Sequence, residues 1–147
     1  MKKNSMSIIV VGIIIIVIAI AYFIQQKKAV VEVSCVQGDK IILGAAVSLT
    51  GKYSTNGKHT QNGYNLAVER INSMGGVKVG GKTYKFDIIY YDDESNSGRA
   101  AQLAERLIKQ DEVRCMLGPY SSGLTKAIAP ITEENKIPMV EANGASR

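Results

Sequence analysis

The sequence has no tryptophan, one histidine (His59), two cysteines and three prolines. A single histidine with no Cys/His cluster makes a zinc site or a Cys/His catalytic pair a poor expectation. Beyond an apolar leader there is no internal repeat and no low-complexity tract, and 147 residues suffice for one domain. Unbalanced charge is scarce too, once the first residues are set aside. Lys2, Lys3, Lys27 and Lys28 supply most of the formal net charge of +5, leaving the remainder near +1. That balance gives no electrostatic case for a nucleic-acid partner.

What is present begins with an unbroken apolar run, Ile8 to Ile24, followed by Gln25, Gln26, Lys27 and Lys28. As a helix the run reaches roughly 25 Å, near the lower limit for crossing a bilayer. A cleavable signal has a shorter apolar core and small residues at an A-x-A-like site. Here Ala19 and Ala21 lie inside the run and no clean site follows it, which favours a retained or slowly cleaved anchor. Residues 1–28 are therefore expected as signal peptide or membrane anchor, 29–39 as a linker and 40–147 as the folded part. Two lysines on each side leave the orientation open. Cys35 has two readings. It is either a lipid-attachment cysteine, against which Glu32 and the distance from Ile24 speak, or a disulfide partner for Cys115 in an exported protein. Cys115 is otherwise a small buried hydrophobe in a strand-like run.

From Lys40 the pattern alternates. Lys40 to Val47 is a continuous apolar run of the kind buried on both faces of a sheet. A polar loop follows to about Lys58, and then Tyr64, Ala67, Val68, Ile71 and Met74 recur at helical spacing over residues 59–74. Gly75-Gly76 ends that helix. Val77 to Thr83 reads as a small hairpin with Gly80-Gly81 at its turn, and Tyr84 to Tyr91 as the second main strand. Arg99 to Gln110 is the second helix, with Ala100, Ala101, Ala104, Leu107 and Ile108 inward and a Glu105–Lys109 pair outward. Val113 to Leu117, Leu124 to Asn135 and Ile137 to Glu141 complete a β-α-β-α-β-α-β order. Pro130 predicts a kink or shifted boundary in the third helix.

This order calls for an α/β fold, a parallel sheet with helices on both faces. In such sheets ligands bind beyond the carboxyl ends of the strands, where the strand order reverses. With order 2-1-3-4, the crevice lies between Ser48–Gly57 and Gly118–Gly123. The second of these loops carries Ser121 and Ser122 at a helix start, where unpaired N–H groups and the macrodipole attract anions. The plainer role for either serine is a helix cap.

Three enzyme-like readings fail here. No G-x-G-x-x-G follows the first strand, and Gly81-Lys82-Thr83 sits in the hairpin without the rest of a P-loop. A receiver-type phosphorelay domain needs an aspartate where Gly118-Pro119 stands. Asp92-Asp93-Glu94 reads most simply as solvated charge at a helix start. No serine has a histidine base in a sensible position, and His59 is expected on the surface. No enzyme, metal or cofactor is expected.

A binding module remains, and the residues resemble a known family. The likeness runs through Ile42-Leu43-Gly44, Leu49-Thr50-Gly51, Asn62-Gly63 with Ala67, Ile71-Asn72-Ser73-Met74-Gly75-Gly76, Tyr91-Asp92-Asp93, Leu117-Gly118-Pro119-Tyr120-Ser121-Ser122 with Thr125, and Ile137-Pro138. From Lys40 to Arg147 the chain is similar to the N-terminal lobe of type 1 periplasmic binding proteins, nearest the leucine/isoleucine/valine-binding receptors of ABC transporters. The resemblance implies a receptor that closes two lobes on an amino acid and delivers it to a membrane permease. It implies that Ser122, beside Ser121, meets the ligand carboxylate, and that Gly144, Ala145 and Ser146 add backbone and hydroxyl contacts. The family's first loop carries an aromatic residue just before the glycine at Gly57. Here Asn56 takes that place, with Tyr53 three residues earlier.

The resemblance also implies a chain more than twice this length, hence an incomplete lobe, weak or no binding by this chain alone and an exposed last strand. The expected role is thus the extracytoplasmic, membrane-anchored or secreted solute-binding component of an importer. The alternative of another class is the sensing ectodomain of a membrane signalling receptor, and a nucleotide-binding enzyme ranks third.

Overall fold

The computed structural model describes residue 16, residues 35–141 and residues 143–145. All but the first belong to one compact unit, residues 33–147. The expected leader and Ser146 lie outside the described residues. Among the described residues no helix is long and apolar enough to cross a membrane.

The elements in order are β1 (Val36–Gln37), β2 (Lys40–Val47), α1 (Ser54–Ser73), β3 (Val77–Val79), β4 (Lys82–Asp92), α2 (Ser97–Lys109), β5 (Met116–Leu117), α3 (Ser122–Glu134) and β6 (Met139–Val140). Strands β4, β2, β5 and β6 are parallel neighbours in that order, the expected 2-1-3-4 arrangement. Two short antiparallel strands extend it. β3 turns into β4 through Gly80 and Gly81, both at positive φ, which only glycine adopts readily in so tight a turn. β1 pairs with β2. Residues 36–37, within the stretch expected as a linker, are therefore part of the sheet. β1 and β5 are then joined by a disulfide between Cys35 and Cys115, whose Cα atoms lie 5.8 Å apart. Of the two readings of Cys35, this is the second.

Side chains alternate across a strand, so β2 feeds both faces of the sheet. Ile42 and Ala46 join the buried cluster with Ala100, Leu103, Ala104, Leu107 and Ile108 of α2 and Leu124 and Ile128 of α3. Leu43 faces the other way, toward Tyr64, Val68 and Ile71 of α1. Gly44 makes room for Met116 and Val113, from each of which a Cβ there would stand 2.9 Å, and for Leu107 of α2 at 3.3 Å. The two faces are unequally filled. On and just after α1, Leu66 and Met74 are 67% and 70% exposed, and Ala67 is exposed too. The expected inward position of Met74 is corrected here, because it lies past the end of α1, whereas Ala67 borders the hollow beneath the helix while staying partly open to solvent.

Helix boundaries also shift. α1 starts at Ser54 rather than near His59. Its first turn has no apolar periodicity and contains Asn56-Gly57, so it reads as loop. Gly57 is buried because the helix start presses onto the end of β2. A Cβ there would overlap the Ser48 carbonyl, which only glycine avoids. α3 runs through Pro130 without interruption, burying Leu124, Ile128 and Thr132 against the sheet and α2. The expected strands at 113–117 and 137–141 shrink to two residues each.

Candidate functional site

The carboxyl ends of β2, β5 and β6 lead into the loops and helix starts that hold the described candidate residues. β5 ends at Leu117, and Gly118-Pro119-Tyr120 leads into α3. Ser121 is the N-cap, and its hydroxyl accepts from the Leu124 amide at 3.4 Å. Its backbone stands at φ 94°, ψ 140°, a region an L-residue seldom occupies. The expectation of a cap falls on Ser121. Ser122 does something else: its Oγ accepts the Ala145 N–H at 3.0 Å, tying the start of α3 to the loop after β6. Two residues named from opposite ends of the sequence, Ser122 and Ala145, therefore meet.

Glu141 organises that second loop. Its carboxylate accepts from the amides of Asn143 (2.6 Å) and Gly144 (2.8 Å), while the Thr125 hydroxyl donates to it at 2.7 Å. The Tyr64 hydroxyl donates to the Gly118 carbonyl at 2.8 Å, pinning the other loop to α1. Burial first, and the Glu141 charge second, push the Tyr64 phenol up to about 12.

The first loop is held from behind by the acidic pair after β4. Asp92 Oδ1 accepts from the amides of Leu49, Thr50 and Glu94, and its Oδ2 from the Thr50 hydroxyl. Burial opposes ionisation of Asp92, but these donors outweigh it and hold the carboxyl below the usual carboxylate range. Asp93 is fully buried. Its Oδ1 accepts from the Ser48 hydroxyl at 2.6 Å and the Ser95 amide at 2.8 Å, while Oδ2 has no hydrogen-bond partner among the described residues. Burial raises its pKa, only partly offset by those bonds. The solvated-charge reading fits Glu94, which pairs with Arg99 at 2.9 Å, and not Asp92 or Asp93.

Ser95 completes the brace. Its hydroxyl donates to the Thr50 carbonyl and accepts the Tyr53 amide, so Tyr53 is placed through its backbone. The Tyr53 ring meets Tyr120 edge-on, centroids 5.7 Å apart, with the Lys52 ammonium 4.7 Å from its centre. Asn56 lies in the first turn of α1. It opens onto a cleft of about 330 Å³ shared with His59, Thr60, Tyr64, Tyr120 and Asn143. The Asn143 amide donates to Thr60 Oγ1 at 3.3 Å, closing one wall.

The candidates thus fall into two adjoining groups: Ser121, Ser122, Gly144 and Ala145 at the start of α3, and Tyr53 and Asn56 at the start of α1. Sequence reasoning missed Thr60, Tyr64, Tyr120, Asn143, Thr125 and Glu141. For the α1 residues a signal existed, because 56, 60 and 64 are spaced four apart on one helical face. Starting the helix at His59 concealed it. Among the described residues, no group of three or more His, Cys, Asp or Glu side chains is placed to hold a metal.

A cleft at the carboxyl ends of a 2-1-3-4 parallel sheet is a binding architecture, and known proteins say which. The sequence profile of the family described as periplasmic binding protein matches residues 40–147. The chain belongs to the periplasmic binding protein family. It is a family of binding proteins and not of enzymes, and its leucine/isoleucine/valine-binding branch is the one resembled. The Leu/Ile/Val-binding protein BraC3 of Rhizobium johnstonii is 28% identical over 100 residues, covering 68% of this chain and 26% of that protein. A solved structure of the branched-chain amino acid transporter substrate binding protein LivJ from Streptococcus pneumoniae, in complex with isoleucine, is 27% identical. It superposes with a TM-score of 0.66 over 73% of this chain and 30% of that one. A solute binding protein of an ABC transporter from R. palustris, in complex with benzoate, is 28% identical with a TM-score of 0.59, over 71% of this chain and 27% of that one. The chain spans about a quarter of the length of the curated relatives it matches.

Proposed function

We propose that this chain forms the first half of an extracytoplasmic receptor for an ABC importer, taking an amino acid at the start of α3 and passing it to a membrane permease. The observation that carries the reading is the bond between Ser122 and Ala145 at the amino end of α3. It gathers a hydroxyl, backbone amides and the positive end of a helix dipole at the crevice where a carboxylate gains most. The first turn of α3 contains no acidic residue of its own, and the Glu141 carboxylate beside it is occupied by the Thr125 hydroxyl and the Asn143 and Gly144 amides. The Ala145 amide is held by Ser122 and the Gly144 amide by Glu141, so a ligand carboxylate takes the place of these internal acceptors; the resemblance adds the Ser146 hydroxyl, and Tyr53 and Asn56 face the remainder of the ligand. The matched relatives support an amino acid as the first class to test, with leucine, isoleucine and valine at the head of the series.

The test is a thermal-shift screen of the protein with both lobes that the resemblance implies against the amino acids, followed by calorimetry on any that stabilise it. Ser122→Ala is expected to weaken binding by about 1–3 kcal/mol, the cost of leaving a charged group short of a hydrogen bond. Unchanged affinity would leave Ser122 as a structural tie and the carboxylate assignment without support. The apolar run Ile8–Ile24, read as a retained anchor, favours a second reading, a sensing ectodomain of a membrane receptor. A second membrane span followed by a signalling domain in the same gene product would decide for it.

A further inference from the structure

The cleft near the start of α3 has no aliphatic side chain in its lining. Its six side-chain-bearing walls are Asn56, His59, Thr60, Tyr64, Tyr120 and Asn143, with Gly63 at its edge. None is aliphatic, and each carries a nitrogen or oxygen. The chain does not lack aliphatic residues at this depth. A smaller hollow under the same helix, about 180 Å³, is lined by Leu43, Ala67, Val68, Ile71, Phe86 and Leu117 together with Tyr64. Aliphatic side chains are thus packed behind α1, while the side chains at its front each bring a polar atom to a largely aromatic and methyl surface.

The polar atoms of the cleft divide into two kinds. Thr60, Tyr64 and Asn143 spend theirs on the fold, through Thr60 to the Asn56 carbonyl, Tyr64 to the Gly118 carbonyl and Asn143 to Thr60. The side-chain amide of Asn56, the imidazole of His59 and the hydroxyl of Tyr120 make no hydrogen bond to another described residue. These three offer both donors and acceptors to whatever enters. A methyl-bearing branch placed there would strip water from polar groups without replacing their bonds, which costs free energy. A hydroxyl or amide at the same place would replace them.

Resting on the receptor reading above, we infer that the ligand of this site carries a hydrogen-bonding substituent, a hydroxyl or carboxamide, in place of a branched aliphatic chain. Selectivity resides in Asn56, His59 and Tyr120, and Ser122 with the 144–145 loop handles the carboxylate common to all amino acids.

Two near-isosteric pairs test this on the protein with the second lobe that the resemblance implies: threonine against valine, and asparagine against leucine. In each pair the polar member is expected to bind about fivefold tighter by calorimetry, the scale of one net hydrogen bond. Tighter binding of valine and leucine would overturn the inference and leave the amino-acid receptor reading standing. Binding of none of the four would remove that reading and the inference with it. Asn56→Leu and His59→Leu, both at exposed positions, are expected to leave the melting temperature of the ligand-free protein unchanged and to shrink the polar-over-apolar ratio. A ratio untouched by both would place the substituent outside this cleft and overturn the assignment.

Discussion

Ser121 sits at φ 94° and ψ 140°, a backbone conformation suited to glycine, and still caps α3 through its side chain. Strain of this kind costs on the order of 1–3 kcal/mol and collects at binding sites. Glycine caps nearly as well as serine. Ser121→Gly is therefore expected to stabilise the protein by about 1 kcal/mol, read from urea midpoints, whereas Ser121→Ala keeps the strain and loses the cap. The neighbouring acids Asp92 and Asp93 respond to pH in opposite senses. Asp93, raised by burial, favours its neutral form in the fold. Its contribution is complete below the unfolded carboxylate value and is lost as pH rises through the folded one. Asp92 is held low by its donors after burial is overcome, so its contribution is present above the unfolded value and is lost on acidification. Asp93→Asn removes only the first effect. The stability difference between variant and parent is expected to move in the variant's favour as pH rises from about 4 to 7. A difference independent of pH would show that Asp93 does not titrate differently on folding.

Among the elements, α1 has most bearing on the site, since Asn56, Thr60 and Tyr64 share its front. Its position depends on Gly57, where a Cβ would overlap the Ser48 carbonyl. Gly57→Ala is expected to cost about 1–3 kcal/mol, as overpacking generally does, and to push Asn56 out of register with Tyr120. Loss of stability without loss of binding would separate the two roles. The helix propensity of alanine exceeds that of glycine, so a purely local view of the helix predicts the opposite sign. α3 teaches the same lesson through Pro130. Its missing amide is expected to break or kink the helix, but burial of Leu124, Ile128 and Thr132 on both sides of it keeps the helix going.

At the scale of the molecule, the Cys35–Cys115 bond closes a loop of 80 residues and fastens β1 to the strand that leads into Gly118–Ser122. Constraining so long a loop in the unfolded chain is worth about 4 kcal/mol. Reduction is expected to lower the urea midpoint by a corresponding amount, and Cys115→Ser to reproduce the effect without reductant. An unchanged midpoint under reductant would mean the two thiols are not joined in solution. The bond also excludes lipid attachment at Cys35 in the same molecule, which intact-mass measurement distinguishes directly.

The alternation of strand and helix, the strand at Lys40–Val47, the Gly80–Gly81 turn and the Glu105–Lys109 pair were all legible in the sequence, because each depends on neighbours in the chain. So was the crevice, since strand order dictates where the loops gather. Other features depend on residues far apart and leave no local pattern. The first turn of α1 is helical because it is pressed against Ser48. Asp93 is buried because Ser48, 45 positions earlier, receives it. The 113–117 and 137–141 segments look like full strands by composition, yet only the residues that find a partner in register pair. Ser121 and Ser122 are alike in sequence, and only the tertiary structure makes one a cap and turns the other toward Ala145. Periodicity and turn chemistry act over a few residues and so decide elements and their order. Close approach, burial and hydrogen bonding act through space, and so decide what the elements hold between them.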